Sequence, residues 1–518
     1  MEPAKKILRF IPILLFISLA FTYTFILAKP INLTTSDIGR HLINGREVLS
    51  QNWQVLFENT YSYTMPDQIF INHHWLSGVV FWLAYSAGGF LSLHIFHTII
   101  LLVFLSLFFI FLKEKSSWTI SFLLNLLALL FFATRTEIRP ESFGVLFLMI
   151  YLLIIQNIKK TKTVSWKKIA TLFLIQVVWI NLHISFVFGL FVIGLFTLLE
   201  IGVIQSFSIN TRKKLFLLTG LLGAASILNP NTINGALSPF TIFQDYGYKV
   251  FENQNLWFLR SYYQGPIIPM FYIVSGIILV SFFIFSKNYI FEKALALTGI
   301  FLGWSALRNI PLFVIFSFPF LAIVLQQSIV YLKKNIALEQ PRLTKLLTII
   351  IPLTLLWLVL STTQFFKKEK PGFVFGLFEE QQETLDFLQK IPHSAKIFNN
   401  YDVGSALVFS FFPNKKVFVD NRPEAYSSSF FQDNYIPLQN SESSWAEAEK
   451  KHQFTYIVFG HRDITPWAQT FMKNRLRDQS WKIIYLDRFI IIFAKDIPEN
   501  KDHIEQYSIE VPLSRLKI

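Results

Sequence analysis

Long apolar runs dominate the first 363 positions, separated by short polar connections rather than alternating with polar residues. Runs at 7–28, 90–112, 118–133, 143–158, 169–181, 185–204, 215–228, 267–286, 294–307, 310–332 and 346–363 predict about eleven transmembrane helices, judged against the ~20 residues that cross a hydrocarbon core. The stretch 75–87 is amphipathic and short for a span, so it is expected to lie at the interface. Lys5, Lys6 and Arg9 around the start of the first run imitate a signal peptide. The run is too long for a typical signal core, and no small-x-small cleavage site precedes Lys29 convincingly, so it reads as an uncleaved first span.

From Lys367 the pattern changes. A helix is expected at 379–391, short strands at 396–399, 416–420, 455–460, 481–486 and 489–495, and helices at 445–452 and 465–476. Asp487-Arg488 is read as the turn into the last strand, and the last twenty residues as a polar tail. The predicted fold is therefore a polytopic α-helical membrane domain, 1–366, with a large first outside loop at 29–89. An extracytoplasmic α/β domain follows at 367–518, of a size that can fold independently.

Charge sets the orientation. The net charge of +14 is compatible with nucleic-acid binding, but Lys and Arg cluster in short loops between apolar runs, so anionic membrane lipid is the expected counter-charge. Lys5/Lys6/Arg9, Lys113/Lys115, Lys159/Lys160/Lys162/Lys167/Lys168, Arg212/Lys213/Lys214, Lys287/Lys293 and Lys333/Lys334/Arg342/Lys345 fall on one side. The positive-inside rule makes that side cytoplasmic, with the C-terminal domain outside a cell (inner) membrane. With no cysteine in the chain, disulfides, thiolate metal sites and cysteine nucleophiles are excluded.

The polar residues outside the basic loops gather on the opposite side. Asp37, His41, His73 and His74 lie in the first outside loop, and Arg135, Glu137, Arg139 and Glu141 in the next. Asn181 and His183 occupy a tight turn, Asn229, Asp245, Glu252 and Arg260 follow, and then Arg308 and Asn309. Asp402, Asp420, Arg422 and Glu424 belong to the C-terminal domain on the same side. The runs rising towards that side are short and end in these groups, which predicts a polar cleft recessed into the outer leaflet. Asp37 or Ser36 is placed to cap a helix running to Ser50. Asp37 with His41 four residues on is equally a general-base arrangement.

Ser36-Asp37-Ile38-Gly39-Arg40-His41 with Gly45 resembles the first-loop motif of bacterial membrane glycosyltransferases of the GT-C superfamily. His73-His74-Trp75-Leu76, Arg139-Pro140-Glu141, Asn181-Leu182-His183, Asn229-Pro230, Arg308-Asn309 and Val417-Phe418-Val419-Asp420-Asn421-Arg422 with Tyr426 are similar to theirs too, in order along nearly the whole chain. The superfamily includes oligosaccharyltransferase catalytic subunits, protein O-mannosyltransferases and lipid A aminoarabinose transferases. The resemblance implies transfer of a sugar from a polyprenyl-phosphate carrier to a glycan, lipid or protein acceptor on the extracytoplasmic face. It puts the family's essential first-loop acid at Asp37. The loop lacks an Asp-x-Asp, so the divalent metal that some relatives use there is possible but not supported by that motif, and no cofactor is assigned.

Under that reading Asp37 is the catalytic base. Arg139, Arg308 and the histidines His41, His73, His74 and His183 are candidates to hold the lipid phosphate. Glu141, Asp420 and Arg422 complete the expected substrate-binding set. Several residues have quieter readings: a salt bridge from Arg139 to Glu141 or Glu137, interfacial packing for His73 and His74, backbone satisfaction for His183, and a structural Asp420–Arg422 pair. Tyr401-Asp402-Val403-Gly404 is loosely similar to the Trp-Trp-Asp-Tyr-Gly acceptor motif of oligosaccharyltransferases. Asn400 and Tyr401 replace both tryptophans and Val403 the tyrosine, so sequon recognition is not carried across and Asp402 is expected to cap a helix. A transporter or flippase, or a non-catalytic scaffold with an external binding domain, are the competing functions.

Overall fold

The computed structural model describes residues 2–242, 247–248, 251–262, 265–284, 289–335 and 373–510. The predicted span 346–363 and Asp245 lie outside the described residues. The chain divides into two compact units. The first comprises Met1–Lys29, His94–Leu228 and Val250–Phe375, and the second Pro30–Leu93, Asn229–Lys249 and Gly376–Ile518.

The first unit is helical because its sequence consists of apolar runs that must satisfy their own backbone groups. Among the described residues, Gly89–Lys113, Glu141–Thr161, Phe186–Ile204, Ile267–Ile284 and Leu307–Leu332 are long and apolar enough to cross a membrane. The chain is thus a multi-pass helical membrane protein. Between these lie shorter helices, Trp118–Phe132, Trp166–Leu182, Ile209–Ala225 and Ile290–Ser305, of 15, 17, 17 and 16 residues. Three of them begin alike: the hydroxyls of Ser117, Ser165 and Ser208 accept from the backbone N–H three residues on, satisfying a donor that the first turn leaves without a partner. At the basic ends, buried Glu292 accepts from Lys115 (3.1 Å) and Lys159 (2.7 Å), tying its own helix to Glu141–Thr161 and to the turn after Gly89–Lys113.

In the second unit a four-stranded sheet of β1 (Ile397–Asn399), β2 (Tyr456–Gly460), β3 (Trp481–Leu486) and β4 (Ile490–Lys495) has the order β1-β2-β4-β3. β1 is parallel to β2, while β4 is antiparallel to both β2 and β3. The continuous apolar sequences of β2 and β4 follow from burial on both faces. Tyr456, Val458, Ile490 and Ile492 point into one core, and Ile457, Phe459, Ile491 and Phe493 into the other. Asp487 makes the β3–β4 turn, its Oδ1 accepting from the N–H groups of Phe489 and Ile490 at 2.7 Å each. The helices Glu379–Leu388, Glu442–His452 and Pro466–Arg475 stand where the sequence placed them, within a few residues.

Two expectations are corrected. The segment 416–420 is not a strand of this sheet. It meets the segment around Ser62 through a single bridge, with Val417 N–H donating to Tyr61 O (2.9 Å) and Tyr63 N–H to Val417 O (3.1 Å), while the Asn399 side chain clamps it as well. The final residues are not simply a tail, since Lys501–Tyr507 is a helix whose His503 pairs with Tyr456 OH at 2.9 Å.

The segment 30–89 folds with the C-terminal segment. Ile43, Val48, Val55, Leu56 and Tyr61 share a core with Leu407, Val458 and Ile490. Its helices Ile38–Leu49 and Trp75–Ser86 cross closely enough that a Cβ on Gly45 would stand 2.0 Å from the Gly78 carbonyl oxygen.

Candidate active site

In the second unit Asp37 occupies the N-cap position of Ile38–Leu49, yet its side chain makes no capping hydrogen bond. Its Oδ1 instead accepts from the Asn421 side-chain amide, and its Oδ2 lies 3.8 Å from Arg40 Nη2. Arg40 Nε donates to Asn421 Oδ1 at 3.1 Å, which fixes which end of the amide faces which residue. Arg40 is tied at its backbone too, its N–H donating to Ser405 Oγ at 3.0 Å. The Asp37 side chain remains 23% exposed, enough for a small polar group to reach it.

Asn421 is presented by a buried bracket. Arg422 and Asp420 form a bidentate pair, Nε to Oδ1 and Nη2 to Oδ2 at 2.7 Å each, with both residues at 2% exposure or less. Arg422 Nη2 also donates to Asn59 Oδ1 (2.7 Å), and its guanidinium lies over the rings of Tyr61 and Phe70. Tyr426 OH donates to Asp420 Oδ2 at 3.2 Å. This is the structural ion pair that the sequence left open as the alternative to substrate binding.

The three first-loop histidines cluster. The His73 and His74 rings are 3.9 Å apart, and His41 is 5.5 Å from His74 and nearly perpendicular to it. His73 Nδ1 is 3.0 Å from Ile71 O. Among the described residues no group of three His, Asp or Glu side chains is arranged to hold a metal ion. Asp37 Oδ1 is taken by the Asn421 amide, and its Oδ2 lies 3.8 Å from the Arg40 guanidinium.

Asp402 corrects another expectation. The helix Gly404–Phe411 starts from Val403 without a side-chain cap. Asp402 is pushed up to about 7 by burial first, then by the carboxylates of Asp463 and Asp37. Three acids near one another left no signature that one-dimensional spacing could expose.

In the first unit a second polar cluster forms. Arg135 Nε and Nη2 donate to Glu141 Oε2 at 3.1 and 2.6 Å, and its Nη1 donates to Glu252 Oε2. Arg139 pairs with Glu252 Oε1 (2.8 Å) and Glu137 (2.6 Å). Arg308 lies 3.6 Å from Glu141 Oε1 and donates to Asn253 Oδ1 at 2.9 Å. Burial disfavours the Glu252 carboxylate, but the guanidinium groups of Arg135 and Arg139 outweigh it and hold its pKa below the ordinary range. Arg135, Arg139 and Glu141 line a recess together with the apolar side chains of Tyr23, Leu101, Phe104 and Phe132. His183 accepts at Nδ1 from the Ser185 N–H (3.2 Å), with Ser185 Oγ at 2.7 Å, and so helps order its tight turn. Sequence reasoning picked out Arg139, Glu141 and Arg308, which meet here, but gave no role to Arg135, Glu252 or Asn253.

No family model and no curated protein sequence matches the chain. Solved structures do. The archaeal oligosaccharyltransferase AglB from Archaeoglobus fulgidus, in complex with an inhibitory peptide and a dolichol-phosphate, aligns with TM-score 0.62 and 12% identity, over 95% of this chain and 75% of that one. Its apo form gives TM-score 0.64 at 11% identity, with the same coverage. ArnT from Cupriavidus metallidurans bound to undecaprenyl phosphate gives 0.53 at 13% or less identity among these neighbours, 11% for ArnT itself, over 93% of this chain and 97% of that one.

Proposed function

From a fold of the GT-C type, we propose that the chain is a membrane glycosyltransferase that moves a sugar from a polyprenyl-phosphate donor to an acceptor on the extracytoplasmic face. The N-terminus is then cytoplasmic, in a cell (inner) membrane, and Asp37 is the base. An acceptor hydroxyl or amide gives its proton to the Asp37 carboxylate as its oxygen or nitrogen bonds to C1 of the sugar. The bond from C1 to the phosphate oxygen breaks, and the polyprenyl phosphate leaves with the electron pair. Arg135, Arg139 and Arg308 neutralise the phosphate, guanidinium being suited to bidentate contact with it. The apolar lining of the recess that Arg135 and Arg139 share suits the first isoprene units.

The observation that carries this reading is Asp37. It forgoes capping its own helix and is held, partly exposed, by an amide and a guanidinium from fixed positions. The neighbours bound to dolichol-phosphate and undecaprenyl phosphate support the class of donor. The test compares wild type with Asp37→Asn in membranes supplied with labelled polyprenyl-phosphate sugars. Transfer is expected to fall by about 10²–10⁴-fold with the protein still folded, and equal transfer by the two proteins would remove the base.

A further inference from the structure

The arginines of the first unit are already occupied, and by adjacent residues of one short turn. Phe251–Asn253 supplies Glu252, whose two carboxylate oxygens reach Arg135 and Arg139 separately, and Asn253, whose side-chain oxygen takes Arg308. A carboxylate spanning two guanidinium groups, with a third neutralised beside it, places oxygens much as a phosphate ester would. Three guanidinium groups face the three carboxylates of Glu137, Glu141 and Glu252, so each guanidinium already has an acid beside it and an incoming anion must displace one to pair directly.

Of these arginines Glu137 pairs with Arg139 alone, and of the two acids that each bridge two arginines the one able to yield is Glu252. Glu141 begins the rigid helix Glu141–Thr161, where the helix dipole favours its charge. Glu252 sits on the three-residue turn Phe251–Asn253, its side chain 23% exposed and Phe251 half-exposed, so less packing opposes displacement of this turn than of a long helix.

We propose that Glu252, with Asn253, occupies the anion subsite in place of the donor's phosphate, and that the phosphate ester binds by exchanging with them on Arg135, Arg139 and Arg308. This rests on the assignment of those arginines to the donor phosphate. Donor affinity is then the difference between two occupants of one site, and removing the Glu252 charge raises it.

Native mass spectrometry or thermophoresis of the protein with a polyprenyl monophosphate tests the exchange, with Glu252→Gln, Asn253→Ala, Arg135→Gln and Arg139→Gln beside wild type. Glu252→Gln keeps the side-chain shape and is expected to bind the lipid about tenfold tighter, Asn253→Ala more modestly tighter, and Arg139→Gln weaker. If Arg139→Gln weakens binding while Glu252→Gln binds equally or more weakly than wild type, Glu252 is structural and the exchange is overturned. If Arg139→Gln and Arg135→Gln both bind like wild type, the arginines do not hold phosphate and the underlying assignment fails instead. Parallel titrations with phosphatidylglycerol and with inorganic phosphate separate the sources of the anion. A gain confined to the polyprenyl lipid supports a carrier site, and an equal gain for phosphatidylglycerol overturns it.

Discussion

The side-chain amide of Asn421 joins two residues of one helix end, donating to Asp37 Oδ1 while its own oxygen accepts from Arg40 Nε. An amide whose two ends are both engaged cannot turn over without breaking both bonds, so the carboxylate has one orientation. Replacing Asn421 by Ala leaves Asp37 in place but free to rotate towards Arg40 or its own helix N-terminus. If Asp37 is the base, kcat is expected to fall by about 10²-fold with little change in KM for the donor. A fall in donor affinity alone, with kcat kept, would separate Asn421 from the chemistry.

The Asp420–Arg422 pair supports that amide from behind. Arg422→Ala would leave a fully buried carboxylate without its cation, at a cost of about 3–5 kcal/mol, and the polar bracket around Asn59 and Tyr426 would open. Thermal melting of the purified protein should show a large loss of stability. Activity lost with stability unchanged would mean that Arg422 acts on substrate rather than on the fold.

Asp402 makes stability depend on pH in a particular direction. Its carboxyl is raised from 3.8 to about 7, so between those values the folded chain binds more protons at this site than the unfolded one. Its contribution therefore favours folding at low pH, and stability declines as pH rises through the window, levelling above it. Asp402→Asn removes the penalty, so its melting temperature should fall less than that of wild type between about pH 4 and about pH 8. Parallel curves for the two proteins would count against the burial of this charge.

Gly45→Ala tests the crossing of the two first-loop helices. The added methyl meets the Gly78 backbone rather than a side chain that could move, so the helices must separate, at about 1–3 kcal/mol. The Trp75–Ser86 helix carries His74 at its start, and the His41–His74 contact shifts with it. A melting temperature equal to wild type would mean that the helices can part without loss.

Much of this architecture can be read from the chain. Spans announce themselves because a helix in hydrocarbon needs a long apolar run whatever its neighbours, and β2 and β4 do so because burial on both faces leaves only apolar residues. The segment 416–420 is as apolar as a strand, but its partners are one loop and one asparagine side chain, and no local pattern distinguishes that from a ladder. Asp402 looks like a cap by its place before a helix, whereas the helix begins one residue later than that reading needs. Glu252 lies in a loop with no pattern at all, and only its two arginine partners give it meaning.

The sequence by itself determined that this is a multi-pass membrane protein and that an α/β segment follows, because hydrophobic length and the apolar runs of strands buried on both faces are local properties. The tertiary structure alone decided which polar groups pair: Asp37 with Asn421, Asp420 with Arg422, Glu252 with Arg135 and Arg139. Partners more than a hundred residues apart, or two neighbours choosing each other over many rivals, are selected by the cost of burying a charge without its complement, and that cost exists only once the chain has folded.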